Sequence, residues 1–191
     1  MSELNPQRHQ QIILDGKIVD NVWTVLRLGD EQSPESVTIP DGPVLVPLAV
    51  WQAQYAVLGH RAQTGVWLAS AERAEELGND LANLSVIAVD FPKFTDGRGY
   101  SIAYNLRSRL HYQGELRAIG DVLRDQLFYM QRVGFNAFAI RADRSIDDAL
   151  KGLTDFSLSY QASIDQKAPL FRRIERNTDA SQNAVPVSES V

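Results

Sequence analysis

Short apolar runs punctuate this chain at near-regular intervals from Val44 onward: VLVPL, GVWLA, LSVIAVDF, ELRAIG, FNAFAIR and FSLSYQ. Each has the length of a buried strand and is bounded by glycine, proline or polar residues. Between them lie stretches with the period of an amphipathic helix. VWQAQYAVL ends at Gly59, AERAEEL follows Ser70 and stops at Gly78, and SIAYNLRSRL closes before Gly114. VLRDQLFYMQRV follows Asp121 and stops at Gly134, with Val122, Leu123, Leu127, Met130 and Val133 on one face. SIDDALKGL opens on Ser145, a hydroxyl cap, with Asp148 as the reciprocal half of a capping box. Asp121 is well placed to be an N-cap in the same way.

This alternation predicts an α/β fold, a mostly parallel sheet of about six strands with flanking helices. Two closures fit it: an open three-layer sheet, or an incomplete (β/α) barrel that falls short of the eight strands of a full one. Residues 1–43 read as an extended leader in which Asp15-Gly16-Lys17 forms a turn. Its alternation around Trp23 to Leu28 suits a strand pair. Residues 44–165 form the α/β core, and residues 166–191 have the polar composition of a disordered tail.

The net charge of −5 is too modest and of the wrong sign for a nucleic-acid-coating or membrane-surface protein. Neither a signal-like leader nor a membrane-spanning run is present, so a cytoplasmic location is expected. With no cysteine, disulfides, thiolate nucleophiles and iron–sulfur clusters ligated by cysteine are excluded. His9, His60 and His111 lack metal-ligand spacing, so no metal site is expected, and no redox cofactor motif occurs. Trp51, Trp67 and Tyr129 read as core residues rather than cofactor stackers.

In both candidate architectures ligands bind beyond the carboxyl ends of the strands. Three loops there mix acids and bases. The first holds Lys93, Asp96, Arg98 and Tyr100, the second Asp121, Arg124, Asp125 and Gln126, the third Arg141, Asp143 and Arg144. In the first loop Gly97 and Gly99 flank Arg98, allowing positive φ and close backbone approach beside a helix start, an arrangement suited to a small anion. Glu115 and Arg117 alternate along ELRAIG and so share one strand face. If that face is interior they must be paired, as a structural ion pair or as a polar floor beneath the loops. Asp96, Asp121 and Asp125 are the candidate acids or bases for an enzyme of unknown reaction. Lys93, Gly97, Arg98, Gly99, Tyr100, Arg117, Arg124 and Arg141 are the candidate ligand-binding residues.

FPKFTDGRGYSIAYNLRSR, GELRAIGDVLRDQLFYMQRVGFNAFAIR and VWLAS resemble the core of an uncharacterised bacterial family, domain of unknown function 934. The resemblance covers roughly Val44 to Gln161. Its motif positions here are Phe94, Asp96, Gly97, Arg98, Gly99, Tyr100 and Ser101, then Gly114, Glu115, Leu116, Arg117, Gly120, Asp121, Asp125 and Gln126. Members of the family are commonly labelled oxidoreductases of sulfite reduction, from their setting among sulfur-assimilation genes. The resemblance therefore implies an accessory protein of assimilatory sulfite reduction, with sulfite reductase as partner and a small anion as ligand. Alternatives are a non-catalytic module that forms a homo-oligomer or docks on sulfite reductase, and an enzyme on a (β/α) scaffold.

Overall fold

The computed structural model describes residues 10–156 and 159–173. Residues 174–191, most of the predicted tail, lie outside the described residues. The strands are β1 (Gln11–Leu14), β2 (Lys17–Asp20), β3 (Thr24–Val25), β4 (Val44–Pro47), β5 (Thr64–Leu68), β6 (Val86–Phe91), β7 (Glu115–Gly120) and β8 (Ala137–Phe138). They form one eight-stranded sheet in the order β2-β1-β8-β7-β6-β5-β4-β3.

From β3 to β8 every neighbour is parallel and the strands follow chain order. Right-handed crossovers that always step in the same direction put all their helices on one face. A doubly wound sheet would instead reverse its strand order at a switch point. The sheet is a curled half-barrel, and the open three-layer alternative is set aside.

The strand count of about six also changes. Five of the apolar runs are β4 to β8, whereas FSLSYQ forms no strand among its described residues. The remaining three strands come from the leader. Asp15 and Gly16, both at positive φ, turn β1 into β2, and β1 then pairs antiparallel with β8.

The leader also determines the curvature. β2 and β3 are the two edges of the sheet, yet only Asn21, Val22 and Trp23 connect them. Four steps of extended chain reach at most about 14 Å. The edges are therefore drawn toward each other across the open side of the half-barrel.

The helices are α1 (Leu48–Ala53), α2 (Tyr55–Leu58), α3 (Arg98–Ser108), α4 (Arg124–Arg132), α5 (Ile146–Lys151) and α6 (Leu170–Arg173). α1, α3 and α4 bury Trp51, Leu106, Leu127 and Met130 against alternate strand residues such as Val66, Val89 and Leu116. The intervening strand residues, among them Leu45, Val86, Ala88 and Ile119, make a separate inner cluster with Trp23 and Trp67. That is the period-two signature of a sheet buried on both faces.

Two predicted helices differ from expectation. VWQAQYAVL breaks at Gln54, whose amide donates to the carbonyl oxygens of Pro34 at 2.8 Å and Val37 at 3.0 Å. AERAEEL gives 3₁₀ turns over Ala74–Asn83, interrupted at Gly78, where φ is 55° and ψ −136°. Ser145 caps α5 as predicted, accepting from the Asp148 amide at 3.2 Å, while the Asp148 carboxylate turns to Arg124. No helix among the described residues is long and apolar enough to cross a membrane.

Candidate functional site

A cavity of about 910 Å³ opens at the carboxyl ends of the strands. Its charged lining comes from four separate chain positions: Arg27 just after β3, Asp90 near the end of β6, Asp121 just after β7, and Arg141 and Arg144 beyond β8. Alternation puts Asp90 on the inner face of the sheet, because Val89 and Phe91 belong to the helix-side core. Gly120 lies beside it in register with Phe91, at φ 92°.

Each acid there is held by an arginine. Arg27 forks onto Asp90, with Nη2–Oδ1 at 2.6 Å and Nη1–Oδ2 at 3.2 Å. The Arg27 guanidinium also lies 5.1 Å from the Trp67 ring centroid. Across the mouth, Arg141 donates to Asp121 Oδ1 at 2.7 Å and to Asp143 Oδ1 at 2.6 Å. Hydrogen bonds donated to Asp143 and Asp121 raise the pKa of Arg141, and the same contact lowers that of Asp143. Both therefore stay charged through the neutral range. Arg144 has only a 3.6 Å approach to Asp143, and its side chain is 58% exposed.

Asp121 has a role that sequence reasoning missed. It is not the cap of α4, whose N-cap is Leu123. Its Oδ2 accepts from the Phe94 amide at 2.8 Å while Oδ1 accepts from Arg141. One carboxylate thus ties the β6, β7 and β8 loops together. Replacing Asp121 by alanine should release the Phe94 amide, and amide hydrogen exchange there should accelerate at least tenfold. Global stability should fall by only about 1–3 kcal/mol, the range for losing a charged hydrogen-bond partner. Unchanged exchange at Phe94 would refute the tie.

Of the predicted catalytic and ligand-binding candidates, Asp121 and Arg141 line the cavity, together with Arg144 of the third charged loop, and the other candidates do not. Lys93 is exposed nearby. Arg98 is 62% exposed and forks onto Asp96 at 2.7 and 2.9 Å. Arg98 and the Ser70 hydroxyl hold the Asp96 carboxyl well below the usual carboxylate range. Gly97 and Gly99 do not have the anticipated positive φ: Gly97 is at −80°, and Gly99 is absent from the positive-φ glycines. Glycine at 99 serves packing instead, since a Cβ there would sit 2.6 Å from Phe91 Cζ. Tyr100 lies between Phe91, which it meets edge-on, and Tyr129, a tilted contact, with centroids at 5.4 and 5.1 Å. Tyr129 itself is 53% exposed rather than a core residue. Arg124 is engaged with Asp148 and Asp155, and Asp125 is exposed on the first turn of α4.

Arg117 lies inside the half-barrel, only 2% exposed. Its neighbours in register are Ala88 and Ala137, whose small side chains leave it room. Nε donates to Glu115 Oε1 at 2.6 Å and Nη1 to Asn21 Oδ1 at 2.9 Å. The predicted pairing of Glu115 with Arg117 is present, with Asn21 as an added partner from the link between the sheet edges.

Arg27, Asp90 and Gly120 complete the cavity without having been site candidates in the sequence. Asp90 carried a signal, a lone acid closing an apolar strand. Arg27 carried none, because its place depends on the leader reaching the far edge of the sheet. Among the described residues, no group of three or more His, Asp or Glu is placed to hold a metal ion.

The chain belongs to a family described as bacterial protein of unknown function (DUF934), whose model matches residues 65–171. That span holds β5 to β8 and the Asp90, Asp121 and Arg141 positions of the cavity, but not Arg27. No curated protein and no solved structure matches the chain.

Proposed function

We propose that this protein binds a small anion-bearing molecule in the half-barrel cavity and acts as an accessory protein of assimilatory sulfite reduction. The observation that carries the binding proposal is Arg144, an arginine in the cavity lining whose side chain makes no hydrogen bond among the described residues, only the 3.6 Å approach to Asp143. Arg27 and Arg141 flank it with guanidiniums already fixed by Asp90 and by Asp121 and Asp143. Arginines held in place in this way lose little freedom when a ligand arrives. Sulfite reduction enters from the label attached to the family, and sulfite reductase is the corresponding partner. The chain itself has no cysteine, so a thiolate-held cluster would belong to that partner.

Isothermal titration calorimetry with sodium sulfite and sodium sulfate tests the binding step. Arg144→Ala and Arg141→Ala should each weaken binding about tenfold or more, the scale of one charge-assisted contact. Arg98→Ala should leave it unchanged. Loss of binding on Arg98→Ala alone would move the site to the β6–α3 loop and overturn this placement.

A second reading, an enzyme on the same scaffold, is favoured by one feature. Asp121 and Asp90 bring carboxylates into a cavity already lined by arginines. Of the candidate acids only Asp121 is there, so it is the one to serve as general acid or base.

A further inference from the structure

We infer that the ligand of this cavity is a zwitterion, an α-amino acid with an apolar side chain. Its carboxylate meets Arg144 and its ammonium lies between Asp90 and Asp121. This rests on the reading of the cavity as an anion site and specifies what the anion is attached to.

The first observation is the charge balance. The mouth holds Arg27, Arg141 and Arg144, matched by Asp90, Asp121 and the adjoining Asp143. A bare anion would satisfy Arg144 and still face nearby carboxylates, and like charges at close range are unfavourable. A ligand that carries both signs answers both. Neither acid is saturated by its present partners, because an ionised carboxylate can accept about four hydrogen bonds. Asp90 accepts two, both from Arg27, and Asp121 accepts two, from the Phe94 amide and from Arg141.

Gly120 lets the backbone of β7 come close to Asp90, and both acids line the same cavity. A Cβ at this position would lie 2.7 Å from Asp90 Oδ1 and would run into the Phe91 carbonyl oxygen. The bare backbone of β7 therefore approaches Asp90 directly, and Asp121 follows as the next residue. An ammonium with its three donors suits such a pair.

The rest of the lining includes two glutamines, Gln10 and Gln11, and an apolar part made by Pro92, Ile140, Ala142 and Ile146. A cavity of about 910 Å³ is within the range that holds organic ligands and is far larger than an inorganic oxyanion requires. An amino acid with an aliphatic or thioether side chain places its body on this wall and its charged head at the arginines and aspartates.

Calorimetry on the full chain with L-methionine, L-leucine, N-acetyl-L-methionine and sodium sulfite tests the inference. At least one of the two amino acids should bind more tightly than sulfite. Capping the ammonium, in N-acetyl-L-methionine, should weaken binding about tenfold or more relative to L-methionine. Arg144→Ala should weaken amino-acid binding by a similar factor, and Asp121→Asn should narrow the gap between L-methionine and its acetylated form. The acetyl comparison uses the wild-type protein and so does not depend on any variant folding. Equal binding of the acetylated form overturns the zwitterion. If sulfite binds, Arg144→Ala abolishes that binding, and neither amino acid binds, the zwitterion falls while the anion site stands. If no probe binds, both fall.

Discussion

Replacing Arg117 by alanine is expected to destabilise the protein by about 3–5 kcal/mol, measured by urea unfolding. Two costs combine. Glu115, whose side chain is 16% exposed, loses the guanidinium that compensates its charge. The space between Ala88 and Ala137 also loses one of the largest fully buried side chains in the molecule. Arg117→Lys should fall between wild type and alanine, because a lysine cannot fork to Glu115 and Asn21 together. Arg117→Met combined with Glu115→Gln should recover most of the loss, since an apolar side chain of similar volume replaces a buried ion pair at little net cost. A recovery no better than that of Arg117→Met alone would show that the pair is not the source of the effect.

The same variant tests how the half-barrel is held. Asn21 accepts from both Arg117 and the Trp23 amide, the latter at 3.1 Å. Loss of Arg117 should loosen the link between β2 and β3, so the Trp23 amide should exchange faster than amides in β6.

This strut shows what could and could not be read from the chain. The alternation E-L-R-A-I placed Glu115 and Arg117 on one face and required them to be paired if buried. Both statements follow from local geometry. Asn21 could not be foreseen, because it arrives from 96 residues away in a segment whose own pattern gives only a short strand. The half-barrel had the same limit. Five parallel strands announced themselves as apolar runs, but β3 is two residues long and β1 joins through pairing with β8. The leader's pattern indicated strands there, but not which edges of the sheet they would cover.

The site was legible to a similar depth. The rule that ligands meet the carboxyl ends of parallel strands pointed to the end of the sheet where the cavity opens, and two of its candidates, Asp121 and Arg141, line that cavity. It also favoured Arg98, because a charge between glycines reads as an exposed anion hook. In the folded protein that arginine is engaged by Asp96, two residues away. Proximity in sequence made the neutralising partner visible, yet a pattern alone does not say which rotamers meet.

Gly120→Ala is the substitution expected to affect stability and binding together. The residue has φ 92°, a conformation that costs an L-residue about 1–3 kcal/mol. Its new Cβ would also press on the Phe91 carbonyl oxygen and lie 2.7 Å from Asp90 Oδ1. Overpacking of this kind adds about 1–3 kcal/mol where the neighbour is backbone and cannot turn aside. A total loss of about 2–6 kcal/mol is expected by urea unfolding. Gly16→Ala is the matched comparison. Its φ is 73° and nothing lies within 4 Å of the added methyl, so only the conformational cost applies. The difference between the two variants isolates the close approach of β7 to Asp90. Gly120 and Asp90 both line the cavity, so Gly120→Ala should also weaken ligand binding, whereas Gly16→Ala should not. Equal stability losses at the two glycines would mean that β7 and Asp90 are not in contact.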